Sequence, residues 1–282
     1  MRKIPTVAFA LLIPLAACKK KENAGDHATP KPAPGSGSAA MTGSGSAAAG
    51  APKPVEAKPV TGEDLAKRYV ECWELYNAKD FEKLKTCFAS PTTEEIVDAG
   101  PPGPSTPDET AKGLSDLVAM APDRKVELEL TLVNGKHVAS VGLYSGTHAK
   151  TSKKFGLQIG YVVHFTDDGK TVDRTSFYLD QGEMGGQVGA VKMPVRPVAD
   201  KPWGANEIVV AKDDDTEKKN LEAVKKMTDA FDKHDAKAIE AMLADDLVWS
   251  ESGVPKDWNK KQAVAAHADL FKGFSDLKLA PD

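Results

Sequence analysis

The feature that most constrains the fold is a change in hydrophobic period near residue 125. Before this point, TGEDLAKRYVECWELYNAKDFEKLKTCFA carries apolar residues at spacings of three and four, which is typical of helices. After it, VELELTLV alternates between polar and apolar residues, which is typical of a strand with one buried face. The pattern predicts an α+β domain, with helices packed on one face of a curved antiparallel sheet.

Helix caps, turn motifs and hydrophobic periods predict where the helices and strands lie. A first helix begins at Thr61 or Gly62, NAKD interrupts it at 77–80, and a second helix starts at Phe81 with Asp80 as its cap. A third, weaker helix is expected at 109–120. The turns NGK and TDDGK separate four strands, which are expected at 126–133, 137–147, 157–165 and 171–180.

Strand parity assigns side chains to faces, because alternate residues of a strand share a face. One face of the first strand is expected to line the core and carries Val126, Leu128, Leu130 and Leu132. Glu127 and Glu129 then lie on the other face. In the third strand His164 is placed opposite Tyr161, which predicts that His164 lies outside the interior.

The N-terminus reads as a secretory signal. Arg2 and Lys3 precede a run of uncharged residues at 4–17, which is shorter than the roughly 20 residues that span a membrane. The run ends in LAAC, which resembles the lipobox of bacterial lipoproteins. The resemblance implies a signal peptide at 1–17 and a lipidated Cys18, and Lys19 after it favours the outer membrane over the inner one. The alternative is an ordinary secretory signal with a chance cysteine.

Residues 18–60 form a segment rich in Ala, Gly, Pro and Ser, as in PAPGSGSAAMTGSGSAAAGAPKP. Such a composition offers few apolar side chains to bury and cannot offset its conformational entropy by forming a core. It predicts a disordered tether that holds a folded domain away from a membrane. Lys and Arg number 37 against 41 Asp and Glu, so the charge balance gives no reason to expect nucleic-acid binding.

Several motifs occur in order between 61 and 190: NAKDFEKL, a GTH strand end, F-x-x-D-G-K before the last strand, FYLD, and QVG at 187–189. In this order they resemble the SnoaL-like polyketide cyclase (ester cyclase) family, whose members have the cone-shaped nuclear-transport-factor-two fold. The resemblance implies a cofactor-free intramolecular aldol closure, with Asp180 as the buried acid/base. The alternative for Asp180 is a strand-end carboxylate that caps the following turn.

His148, in YSGTHAK, is the second candidate for the site. It is interpreted as a pocket-lining acid/base or as a structural hydrogen-bonding group at the strand end. The following AKTSKK departs from the glycine-containing continuation of the family motif. No His-x-His or Cys-x-x-Cys spacing accompanies His148, so no metal is expected. The resemblance to the cyclase family implies that no cofactor is needed either.

Cys72 and Cys87 lie at similar distances from the turn at 78–79, one on each predicted helix. In an exported protein they form either a disulfide, which would stabilise the fold by roughly 3 kcal/mol through chain entropy, or two buried thiols. The residues leave both alternatives open.

The second half repeats part of the first. NAKDFEKLKTCFA at 77–89 aligns with DKHDAKAIEAMLA at 232–244, and SDL at 115–117 aligns with ADL at 268–270. The alignment predicts a linker at 191–215 and, at 216–282, the helical half of an incomplete second domain.

Two functions follow as expectations. The first is an exported, lipid-anchored protein that binds a small apolar ligand or acts as an envelope module, with a homodimer formed through the outer sheet face. The second is an ester cyclase or isomerase. Fold alone does not decide between them.

Overall fold

The computed structural model describes residues 59–96, 102–251 and 253–279. The predicted signal peptide, Cys18 and nearly all of the tether lie outside the described residues. Seven helices are present in the described part: α1 (Gly62–Ala78), α2 (Phe81–Leu84), α3 (Pro107–Met120), α4 (Gln181–Gln187), α5 (Asp215–Asp232), α6 (Ala236–Met242) and α7 (Lys260–Gly273). The strands are β1 (Phe88–Ile96), β2 (Gly103–Ser105), β3 (Lys125–Asn134), β4 (His137–Thr147), β5 (Lys154–Phe165), β6 (Val172–Tyr178) and β7 (Glu207–Val210).

The strands form one sheet in the order β2-β1-β6-β5-β4-β3-β7. The central meander β3 to β6 is antiparallel, as the alternation predicted. Two parallel pairs extend it, β1 with β6 and β7 with β3. Helix α1 packs against the face formed by β3 and β4, and we call this the inner face. The predicted α+β class, with helices on one face of a curved sheet, is therefore present.

Local sequence explains where the helices begin. Thr61 caps α1 and forms a capping box with Asp64, whose backbone N–H donates to Thr61 Oγ1 at 3.1 Å. Thr106 forms the same box with Glu109 at the start of α3. Asp80 caps α2, as expected, but that helix lasts only one turn. A 3-10 turn at Lys85–Cys87 follows it, and Phe88 already belongs to a strand.

The second predicted helix is therefore wrong beyond its first turns, and three strands were missed. Strand β1 contains Pro91 after a cis peptide bond, and its sequence FASPTTEEI lacks the alternation that marked the other strands. Strand β7 is four residues long and lies inside the predicted linker. Both lie near an edge of the sheet, where pairing depends more on tertiary contacts than on pattern.

A bulge in β3 corrects the predicted faces. The register of β3 with β4 shifts between Leu128 and Leu130. Beyond the shift, the residues that would have faced inward face outward, and the reverse. Val126 and Leu128 face inward as expected, and Thr131 and Val133 continue the inner face after the bulge. Leu132 is consequently 36% exposed instead of lining the core. The assignment of Leu130 and Leu132 to the core face was wrong.

An extended segment at 194–206 covers part of the outer face. The backbone N–H of Ala199 donates to the Gly156 carbonyl at 3.0 Å, and that of Trp203 donates to Glu129 Oε1 at 2.7 Å. On the same face Leu143 is fully buried. Because this part of the outer face is occupied, the predicted homodimer would have to use the remainder, where Val162 and Tyr178 are exposed.

The core consists of two clusters between α1 and the inner face, one around Leu65, Tyr69, Val138 and Phe165 and the other around Tyr76, Tyr144, Leu157 and Ile159. The C-terminal helices have a separate cluster, formed by Ala230, Ile239, Leu243, Leu247, Ala263 and Phe271. Arg196 connects the covering segment to this part of the chain, through the Val254 carbonyl at 3.3 Å and an ion pair with Asp257. None of the described helices has the length and apolar character needed to cross a bilayer.

Candidate functional site

The best candidate site is a group of aromatic side chains on the inner face, which we call the aromatic recess: Trp73 and Tyr76 from α1, Tyr144 from β4, Tyr161 from β5 and Phe177 from β6. The ring centroids of Trp73 and Tyr161 are 4.6 Å apart, and Tyr161 stacks on Phe177 at 4.4 Å. Tyr76 and Tyr144 are buried, whereas Trp73, Tyr161 and Phe177 keep part of their surface accessible. The recess thus places three partly exposed aromatic side chains beside two buried ones.

The fold places these side chains by simple periodicity. Trp73 and Tyr76 are three residues apart on α1 and therefore share the helix face that packs on the sheet. Tyr161 pairs directly with Phe177 in the register of β5 with β6, so the two rings are cross-strand neighbours on one face. Burial raises the pKa of Tyr161 well above its usual range, and it also raises the pKa of Tyr76. Both hydroxyls therefore stay protonated at neutral pH.

Arg124 borders the recess and has an unusual environment. Its side chain is 5% exposed, and its guanidinium lies over the Tyr144 ring at 4.6 Å and the Tyr76 ring at 5.9 Å. Within the described ranges it forms no ion pair, and its buried Nε has no hydrogen-bond partner. Burial lowers the pKa of Arg124. Cation–π contacts contribute about 0.5–2 kcal/mol, less than the several kcal/mol that desolvating a charge costs.

A carboxylate, Glu94, lies on the inner face of β1. It pairs in register with Thr175 of β6 and accepts a hydrogen bond from Thr110 Oγ1 of α3. Thr175 Oγ1 is itself buried without a hydrogen-bond partner. The recess is therefore bordered by a cation, Arg124, and also by an acidic group.

Asp180 lies directly before α4. It is the N-cap of α4, and its Oδ1 accepts from the backbone N–H of Glu183 at 2.6 Å. This is the capping arrangement that the sequence left as the alternative. His148 lies in the turn after β4, where Nδ1 and Thr151 Oγ1 are 3.1 Å apart. In the described part of the chain no hydrogen bond or ion pair joins His148 to Asp180.

The two cysteines lie together. Cys72 Sγ on α1 is bonded to Cys87 Sγ at the end of the 3-10 turn, with the Cα atoms 6.1 Å apart. The bond fixes the start of β1 to the helix that carries Trp73. Cys18 lies outside the described residues.

A second polar cluster lies on the outer face. His164 Nδ1 and Asp173 Oδ1 are 2.6 Å apart, and the His137 ring lies 4.8 Å from that of His164. With Thr93 and Arg174 these residues line a shallow depression of about 450 Å³. His164 thus lies outside the interior, as parity predicted. Among the described residues no group of three or more His, Cys, Asp or Glu side chains is arranged to hold a metal ion.

Sequence reasoning missed Arg124 and Glu94. Arg124 lies in a polar turn, APDRK, where a single charged residue gives no signal of burial. Glu94 lies in a strand that was not predicted, so no parity was available for it. Tyr161 was detectable, because it shares its parity with Leu157 and Ile159 in a predicted strand.

Comparison with known proteins points to one family. Residues 66–174 match the model of the SnoaL-like domain. Solved structures similar to the chain include IdmH of Streptomyces antibioticus, named as a candidate polyketide cyclase (20% identity, 44% of this chain and 98% of that one, TM-score 0.40). A candidate polyketide cyclase from Xanthomonas campestris pv. campestris is similar at 16% identity (45% and 99%, TM-score 0.40).

A third similar structure is a hypothetical protein with a ketosteroid isomerase-like fold from Catenulispora acidiphila, in complex with trimethylamine (15% identity, 44% and 92%, TM-score 0.40). Among curated proteins no sequence matches the chain. Residues 66–174, which include most of α1, all of α3 and the strands β1 to β5, are therefore similar to the SnoaL-like domain.

Proposed function

We propose that the SnoaL-like domain binds a small, largely apolar molecule in the aromatic recess. The observation that carries this proposal is the group of three partly exposed aromatic side chains, Trp73, Tyr161 and Phe177, whose rings contact one another on the inner face. Small-molecule sites are typically lined by apolar and aromatic side chains with a few polar groups that fix orientation. Tyr161 and Tyr76 supply such groups.

Binding can be tested by calorimetry with 2-naphthamide, a neutral aromatic probe. Leu114 on α3 is partly exposed and packs against the same cluster, so Leu114→Trp should fill the recess and weaken binding at least tenfold. Met120→Trp is the matched control, since Met120 is on the same helix and 48% exposed. Equal binding by both variants would contradict the proposed site.

A cyclase-type reaction is the second candidate, and Glu94 is the observation that favours it. A carboxylate beside an aromatic recess can exchange a proton with a bound carbonyl compound, which an aldol closure requires. The test is deuterium incorporation from D₂O into the methyl group of 2-acetonaphthone, followed by NMR. Glu94→Gln should abolish protein-dependent exchange, whereas Glu95→Gln, which changes the outward carboxylate bonded to Ser176, should not. Exchange that survives Glu94→Gln would remove Glu94 from the reaction.

We also propose that the domain is exported and anchored through a lipidated Cys18. The support is the uncharged run at 4–17 that ends in LAAC, followed by the Ala/Gly/Pro/Ser-rich segment. Acyl chains contribute about 0.8 kcal/mol per buried CH₂, and more than one chain gives a stable anchor. Cys18→Ser should move the protein from the membrane fraction to the soluble fraction and abolish incorporation of labelled palmitate. Retention of the variant in membranes would exclude this anchor.

The C-terminal helices are proposed to repeat the helical half of the domain. In both halves a residue with positive φ, Lys79 or His234, precedes an aspartate that caps the next helix, Asp80 or Asp235. Equivalent backbone hydrogen bonds close the two turns. Helices α3 and α7 both contain 14 residues and both begin with a capping box. These features support a common origin of the two segments.

A further inference from the structure

We propose that the ligand of the aromatic recess is an anion, an aromatic or other planar carboxylate whose charged group is held by Arg124. The inference rests on the proposed function and names the chemical class of its ligand. It starts from the environment of Arg124, which is buried in the described structure without a carboxylate partner.

A buried guanidinium without a counter-charge needs compensation. Charged groups in protein interiors are normally paired and hydrogen-bonded, because desolvation disfavours the ionised form. Within the described ranges the guanidinium lies over the rings of Tyr76 and Tyr144, and its Nε donates to no acceptor. A ligand carboxylate at the guanidinium would supply the missing charge.

The groups around Arg124 suit such an anion. The guanidinium presents a planar fork of N–H donors that matches a carboxylate in a bidentate arrangement. The Tyr76 and Tyr161 hydroxyls are protonated donors and are close enough to Arg124 to interact with it electrostatically. Trp73 contacts both tyrosines and adds an aromatic wall. The carboxylate of Glu94 also borders the recess, and it is held there by a threonine hydroxyl of α3. This combination selects a carboxylate attached to a flat apolar body.

The experiment compares two probes of nearly equal shape, 2-naphthoate and 2-naphthamide, by isothermal titration calorimetry on the full chain with Cys18→Ser. The Cys18→Ser protein, in which the recess is unchanged, should bind 2-naphthoate at least tenfold more tightly than 2-naphthamide. Arg124→Gln should abolish this preference. Lys125→Gln is the control, because Lys125 is the adjacent cation, is exposed, and pairs with Glu127 at the surface.

The outcomes separate the two proposals. Equal or tighter binding of naphthamide, or a preference for naphthoate that survives Arg124→Gln, would overturn the anion inference and leave ligand binding intact. Failure of both probes to bind would overturn the proposed function and the inference with it. If Arg124→Gln does not fold, as judged by circular dichroism, the comparison of the two probes on unsubstituted Arg124 still decides the inference. Arg124→Lys, which keeps the charge but loses the fork, should retain only part of the preference.

Discussion

The bond between Cys72 and Cys87 gives a prediction whose size can be worked out from the chain. The two residues are 15 apart in sequence, and closing a loop of this length removes about 10 cal/mol/K of entropy from the unfolded chain. At 25 °C this corresponds to about 3 kcal/mol of stability. For a folded region of 150–250 residues, each kcal/mol shifts the melting temperature by roughly 2–4 °C. Reduction should therefore lower the melting temperature by about 6–12 °C.

The assays are thermal denaturation, which gives the melting temperature, and urea denaturation, which gives the unfolding free energy. Both use the Cys18→Ser protein with and without a phosphine reductant, since this background holds only the two cysteines in question. A Cys18→Ser/Cys72→Ser/Cys87→Ser variant controls for other effects of the reductant and should show no response to it. Thiol titration of the unreduced, unfolded protein should find no free thiol. Two reactive thiols in that sample, or a change in unfolding free energy below about 0.5 kcal/mol on reduction, would refute the reasoning.

Three further predictions concern single side chains. Asp180→Ala should destabilise the fold by about 1 kcal/mol through loss of the α4 cap, while Asp180→Asn, which keeps a capping oxygen, should cost much less; equal losses in urea denaturation would argue against the cap. Leu143→Ala should cost about 2–5 kcal/mol, because Leu143 is fully buried beneath the covering segment; a loss below about 1 kcal/mol would show that this side of the sheet is open in solution. Burial raises the pKa of the Glu129 carboxyl above its usual 4.5, so its contribution to stability is present below that value and is lost as the pH rises through the raised folded pKa. Glu129→Gln should therefore gain stability relative to the unsubstituted protein at pH 7 but not at pH 4, with Glu127→Gln as the control, and an equal effect at both pH values would contradict this sign.

The sequence predicted those parts of the fold that periodicity encodes. The meander from β3 to β6 was found because its strands have a period of two and because the turns NGK and TDDGK carry Gly or Asp. β1 and β7 were missed because neither carries a period of its own. The bulge at Glu129 could not be foreseen, since nothing in VELELTLV marks where the register shifts. A one-residue shift of this kind reverses every later assignment of faces.

The candidate site was harder to predict than the fold. Asp180 was chosen by resemblance, whereas its environment is that of a helix cap. The groups around the recess come from α1, β1, the turn before β3, and the strands β4, β5 and β6, which together span more than half of the described chain. Only the packing of these elements brings Arg124 beside Tyr76 and Tyr144. Local sequence carries little information about such an arrangement.

Gly156 has a consequence for recognising related chains. It donates to and accepts from the side-chain amide of Gln187, and a Cβ atom at this position would overlap the Ala199 carbonyl of the covering segment. A relative with any larger residue at this position must therefore route the chain after α4 along another path. The residue aligned with Gly156 can thus serve as a marker, readable from sequence, of which SnoaL-like domains have a covered outer face and which present it to a partner.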